Sequence, residues 1–298
     1  MGGLLPSAGF DIIAARVLAA SFLVVMMLSL GFEVAALPRK DKRAKRHERR
    51  LLVRALILNL VLLPLITFAI VRALHASGAV AVAVLLAAAT PGGRYAPRLA
   101  NIARAELGLA VEITLFLAKL TAFTSPVTMK WLTGARHLDV HDLKLIGQLL
   151  VLQMLPYLLG RFAGRKRPVL VASLVRPFVI AEAVLGVAFF ALLVATGTLS
   201  ELRAFGPVGW AAATLFAVIS LALGWTLGGA DAAVRRAFAV TAVARNLGLG
   251  LVIAGELLHD RGIQLSLFGI WLICLVVDAA FAAAVRGQRR PQPATTLP

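Results

Sequence analysis

Cysteine occurs once in the 298 residues, as Cys274, so the chain can assemble neither a disulfide framework nor a thiolate metal site. Histidine is sparse as well. His47, His75, His137, His141 and His259 fall in loops or at the ends of apolar runs and do not cluster as ligands would. There is no pair of catalytic carboxylates, no histidine deep in an apolar run and no nucleophile elbow of the GxSxG kind, so neither an enzyme nor a bound metal or organic cofactor is expected. Charge is the largest shortage: 15% of residues are charged, against about a quarter in soluble domains.

What fills the space is apolar. The chain is 60% hydrophobic, with a mean hydropathy of +0.89. Apolar runs of about 18 residues or more, long enough to cross a bilayer as helices, recur along its whole length. The expected fold is therefore an all-α polytopic membrane protein, a single membrane domain over 1–298, with nine transmembrane segments at about 12–37, 51–75, 77–104, 106–133, 143–162, 169–197, 206–228, 231–258 and 262–286. The first run is too long for a cleavable leader and lacks a small-residue cleavage pattern, so it reads as the first span.

The net charge of +17 would suggest nucleic acid in a soluble protein. Here the cations sit in short stretches between apolar runs, where they act as topology signals and meet lipid headgroups, and no nucleic-acid partner is expected. The strongest stretch is RKDKRAKRHERR, residues 39–50, with eight Lys or Arg; the positive-inside rule places it in the cytoplasm. Alternation then puts Arg98, Arg104, the segment 161–167, Arg235, Arg236, Arg286, Arg289 and Arg290 inside. Arg72, Lys130, Arg136, Lys144, Arg203 and Arg261 are left outside. The expected location is the plasma (inner) membrane, N-terminus outside and C-terminus cytoplasmic, with a disordered tail over 287–298.

Two of the nine segments break their own helix. In 77–104 the break is Pro91-Gly92-Gly93: proline removes a donor and clashes with the preceding turn, two glycines free the backbone, and Pro97 suits the first turn of a second half-helix. In 231–258 the sequence VTAVARNLGLGLVIAG places Arg245 and Asn246 near mid-depth. An unpaired arginine there costs on the order of 3 kcal/mol or more, so Arg245 must face protein or water. Helix, broken helix, helix over 51–133 recurs over 206–286 from the opposite side of the membrane. That layout is an inverted-topology repeat whose binding site lies where the two breaks meet.

Three stretches carry a resemblance to a known family. MMLSLGFEV (26–34), ATPGGRYAPRLANIARAELGLAVEIT (89–114) and AVARNLGLGLVIA (242–254) resemble an early helix and the two crossover helices of the bile acid:sodium symporter family. The likeness implies a fold with two crossing broken helices, a core at about 51–133 and 206–286, and a panel at about 12–37 and 143–197. It also implies a secondary active transporter of organic anions working by alternating access. The family's sodium positions fall here on Asn59, Ala96, Pro97, Ala110, Thr114, Thr241 and Arg245. Where the family usually offers Ser and Asn after Pro-Gly-Gly, Ser and Thr on the next helix, and Glu and Gln on the second crossover helix, this chain has Ala96 and Pro97, Ala110 and Thr114, and Thr241 and Arg245. A carboxylate is lost and a guanidinium gained. The expectation is transport without sodium at the usual sites, Arg245 supplying the positive charge. The alternative for Arg245 is a structural charge paired with Asp278 or Glu182.

Lys119 and Glu112 lie about 20° apart on one helix face, nearly opposite Thr114; Lys119 either meets a substrate anion or forms a buried ion pair. Arg176 and Glu182 either pair with each other or reach other helices. The candidate substrate contacts are Arg94, Tyr95, Arg245, Asn246 and Lys119, and the expected partner is a small organic anion of the carboxylate or sulfonate class. Two alternatives stay open: a sodium- or proton-coupled carrier, and a non-transporting membrane receptor or assembly subunit on the same fold.

Overall fold

A computed structural model describes residues 8–35, 45–133, 140–195, 199–258 and 261–287. The remainder of the 39–50 loop before Lys45 and the tail 288–298 lie outside the described residues. Among those described, the chain is helical and has no strand beyond one isolated bridge. The helices are α1 (Ala8–Ala35), α2 (Lys45–Ile57), α3 (Leu63–Ala73), α4 (Gly78–Ala89), α5 (Ala96–Ile102), α6 (Leu107–Thr133), α7 (Val140–Lys166), α8 (Pro168–Ala195), α9 (Leu199–Leu227), α10 (Ala232–Val243), α11 (Leu247–Ile253) and α12 (Arg261–Arg286).

Seven stretches of helix among the described residues are long and apolar enough to cross a membrane. Their outward faces carry the large apolar side chains a bilayer requires: Trp131, Val169, Val187 and Val276 are all at least 64% exposed. In water such a surface would be an aggregation hazard; in lipid it is the solvated face.

Local chemistry explains the irregular places. α2 and α3 form one continuous rod joined by a π-helical stretch, Leu58–Leu62, in front of Pro64. Proline cannot donate to the carbonyl one turn back and its ring crowds that carbonyl, so the helix widens there. Asn59 sits inside the widened turn. α9 kinks at Gly206, whose φ of 58° precedes Pro207, and its apolar part begins there. α10 starts on Asp231, whose carboxylate accepts from the backbone N–H of Ala233 and Val234.

α1 packs along α7 and α8, and small residues allow it: a Cβ on Gly31 would sit 2.7 Å from the backbone nitrogen of Arg161. α10 lies along α9, and α12 against α9 and α4. The two segments expected to be interrupted are interrupted. α4 stops at Ala89 and α5 restarts at Ala96; α10 stops at Val243 and α11 restarts at Leu247. At 12 residues, α4 and α10 each extend only about 18 Å.

Candidate functional site

The interruptions meet. Pro91 and Arg245 form an antiparallel bridge. Around it the backbone N–H groups of Gly92 and Gly93 both donate to the carbonyl of Ala244 at 3.2 Å, and Asn246 N–H donates to the carbonyl of Thr90 at 2.8 Å. Each break thus supplies the partners the other lacks, which is how unwound backbone survives inside an apolar bundle. The residue types follow from this pairing. Pro91 has no N–H to satisfy. Gly92 holds φ at +94°, a region closed to most side chains. Gly93 lies against the other strand so closely that a Cβ would come within 2.5 Å of the Arg245 carbonyl oxygen.

Arg245 is 2% exposed, and its guanidinium turns behind the crossing. Nε donates to the carbonyl of Val243 at 3.0 Å, Nη1 to that of Ala88 at 3.4 Å, and Nη2 to Asn59 Oδ1 at 3.4 Å and to the carbonyl of Ala242. The ring of Phe216 covers the group, its centroid 5.0 Å from Cζ. Among the described residues Arg245 makes no ion pair, so neither Asp278 nor Glu182 is its salt-bridge partner. Asp278 is fully buried on α12, and neither carboxylate oxygen has a hydrogen-bond partner among the described residues.

Arg94 follows the first break and is 4% exposed. It leaves the crossing and reaches α1 and α8. Its guanidinium donates to Ser29 Oγ at 2.6 Å, lies 3.4 Å from Glu33, and forms a close ion pair with Glu182. Arg98, one turn on, pairs with Glu33 at 2.9 Å. Glu182 therefore reaches across to Arg94.

Between these groups lies a cavity of about 550 Å³. Arg94, Tyr95, Arg98, Glu182 and Arg245 are on its wall, and Phe22, Met26, Phe190, Phe268 and Trp271 make much of the rest. Tyr95 stands edge-on to Trp271, with centroids 6.0 Å apart, and its hydroxyl accepts weakly from the backbone N–H of Arg245 at 3.4 Å. A pocket of this size with an apolar body and a few charged groups at one side suits an amphipathic guest.

Not every expected contact gathers here. Asn246 is fully buried, off the cavity wall, and its Oδ1 caps α11 by accepting from Leu249 N–H. Lys119 is half-buried on α6 with its ammonium 5.4 Å from the Phe116 ring centroid and 5.3 Å from that of Tyr157; it too is absent from the cavity wall. Of the inferred ion positions, Asn59 meets Arg245. Thr114 and Thr241 each turn their hydroxyls back to the carbonyl four residues earlier, Ala110 and Ala237. Ala96 and Pro97 open α5. The acidic partners Glu33 and Glu182 were not anticipated as part of the site.

Paired helix interruptions inside an apolar helical bundle, beside a cavity, are the architecture of a multi-pass membrane carrier. The profile of the sodium bile acid symporter family matches residues 20–204. The chain belongs to that family, one of transporters rather than enzymes. The match includes the first break and both acidic partners of Arg94; the second break lies beyond it. No curated protein gives a significant match to the chain.

Proposed function

We propose that this protein is a secondary active transporter of an amphipathic organic anion, a carboxylate or sulfonate, and that it works without sodium at the family's usual positions. The single observation that carries this reading is the seat of Arg245. Its guanidinium is held by carbonyl oxygens of Ala88, Ala242 and Val243 and by Asn59 Oδ1, an all-oxygen, carboxylate-free set of the type unwound helices offer to a transported cation. A tethered cation occupies that set, so a mobile one has neither the room nor the charge vacancy to bind. The anion headgroup is read by Arg94, with Tyr95 and Arg245 behind it, and the body by the aromatic wall.

The architecture that goes with this reading counts each broken pair, α4–α5 and α10–α11, as one crossing, nine in all, in two inverted repeats. α2–α6 and α9–α12 form the core; α1, α7 and α8 form the panel. Support for the sidedness comes from the basic residues at one end. Arg54 donates to the carbonyl of Leu227 at 3.0 Å and Arg236 to that of Ala103 at 3.2 Å, while Glu106 N–H meets the carbonyl of Ala233 at 3.0 Å. Arg54, Arg104, Arg235 and Arg236 thus belong to a common end of the bundle, the cytoplasmic one by the positive-inside rule, with the N-terminus outside the inner membrane.

The test is flux. Purified protein in liposomes should accumulate or exchange taurocholate, alkyl sulfonates or alkyl carboxylates equally well in sodium and in potassium. Uptake that demands sodium refutes the proposal, and binding without flux favours a receptor on the same fold.

A further inference from the structure

The seat proposed for the anion headgroup is already taken. Two cations of the cavity wall, Arg94 and Arg98, face two carboxylates, Glu182 and Glu33, and all four groups are engaged. Arg94 is almost wholly buried, and its closest partner is Glu182, whose side chain is 12% exposed. Among the described residues, every cation on the cavity wall already has protein partners. An entering anion binds Arg94 only if Glu182 withdraws.

Where a withdrawn Glu182 carboxylate goes is constrained by everything packed around it. From α1 it faces Glu33, a like charge. From the first break and α5 it faces Arg94, which the anion now holds, Tyr95, and Arg98, already bound to Glu33 at 2.9 Å. From the second break it faces Arg245, four of whose five N–H groups already donate to protein oxygens and whose guanidinium Phe216 covers. From α12 the cavity wall offers Phe268, Trp271, Leu272 and Leu275, and among the described residues α7 contributes nothing to that wall. Among the described residues no cation beyond Arg94, Arg98 and Arg245 lines the cavity, and Arg176, six residues earlier on α8, is exposed. A carboxylate left against apolar groups takes up a proton in preference to remaining charged.

Resting on the anion-site reading above, we propose that Glu182 is the coupling residue: the substrate anion displaces it from Arg94, and one proton from the aqueous phase binds the freed carboxylate. The balance is simple. One anion and one proton enter together, the Arg94–Glu182 ion pair is replaced by an Arg94–anion pair and a neutral carboxylic acid, and the net charge of the site is unchanged. The exchange also cuts the ion pair tying the break to α8, so the loaded site is free to shift against that helix.

The experiment measures binding of tritiated taurocholate to the purified full-length protein over about pH 5–8, a range throughout which the sulfonate stays ionised. Cholate, decanesulfonate and decanoate serve as competitors. Proton uptake is followed with a pH dye in weak buffer. The unmodified protein should lose affinity by up to tenfold per pH unit as pH rises wherever Glu182 is ionised in the empty site and protonated in the loaded one, and should take up about one proton per anion bound there. Glu182→Gln, a neutral mimic of the protonated state, should bind more tightly at high pH and show no slope. Glu33→Gln, which releases Arg98 to receive the displaced carboxylate, should flatten the slope. A flat profile with no proton uptake, or a slope that persists in Glu182→Gln, overturns the coupling and leaves the anion site standing. If no member of the panel binds either protein at any pH, the anion site falls and the coupling with it. Should Glu182→Gln not purify, proton uptake by the unmodified protein decides: one proton supports the proposal and none overturns it.

Discussion

Adding one methyl group at Gly93 tests whether the two interruptions hold each other. An alanine Cβ there would lie 2.5 Å from the carbonyl oxygen and 2.8 Å from the nitrogen of Arg245. Carbon normally approaches such atoms no closer than about 3.5 Å. The obstacle is backbone, so no side-chain rotation relieves it, and the two stretches must separate by about 1 Å. Overpacking of this kind costs roughly 1–3 kcal/mol. The separation also strains the three hydrogen bonds linking Thr90, Gly92 and Gly93 to Ala244 and Asn246, each worth about 1 kcal/mol. The expected loss is on the order of 2–4 kcal/mol, together with anion binding. Backbone strain does not confuse the reading, because Gly93, unlike Gly92, is not at positive φ. Gly147→Ala is the control, since nothing lies within 4 Å of a Cβ there; inside α7 it should leave stability unchanged or raise it by up to about 1 kcal/mol. The assay is denaturant unfolding in detergent, followed by helical circular dichroism, with binding measured on the same samples. Equal stability of the two variants would refute the paired-interruption account.

Other perturbations separate the site's parts. Arg94→Gln strands Glu182 and should cost roughly 3 kcal/mol while abolishing binding of taurocholate and of the alkyl anions; unimpaired binding would move the headgroup site elsewhere. Arg245→Gln removes the donors facing the carbonyls of Ala88, Ala242 and Val243 and Asn59 Oδ1, at about 1–3 kcal/mol for each acceptor left unsatisfied; the same unfolding assay checks it. Combined with Thr241→Glu, it gives the pair usual in the family, and uptake in liposomes should become sodium-stimulated; a double variant indifferent to sodium would count against Arg245 standing in for the ion. Asp231→Ala removes the cap of α10 and should lower stability by about 1 kcal/mol with no change in anion affinity, because that exposed carboxylate is not on the cavity wall.

The features legible in the sequence are those whose cause is local. Pro91, Gly92 and Gly93 announce a break because no ordinary helix tolerates them together, and an arginine at position 245 inside an apolar run announces a protein-lined interior. Expecting the two to meet followed from their matching places in the chain. The partners were not legible. Glu33 and Glu182 lie 61 and 88 residues from Arg94 in sequence, and periodicity gives no reason to prefer either over Glu112 as its counter-ion. For the same reason Glu182 could not be assigned between Arg176 and another helix. Asn246 neighbours Arg245 in sequence, which suggests a substrate contact, but the chain restarts a helix there and the side-chain oxygen serves as its cap. For Lys119 the sequence offers only helix phase and depth. Phase fixes which face a residue occupies, not which neighbour covers it, and Phe116 and Tyr157 are what its ammonium meets. The π-helical turn that offers Asn59 to Arg245 left only Pro64 as its trace.

The most direct measurement is equilibrium binding of tritiated taurocholate to the purified protein in potassium buffer free of sodium, side by side with Arg94→Gln. Saturable binding that sodium does not improve, and that disappears in Arg94→Gln, is the predicted result. Binding that appears only when sodium is added, or that survives the loss of Arg94, would contradict an anion seat built on the protein's own fixed cations.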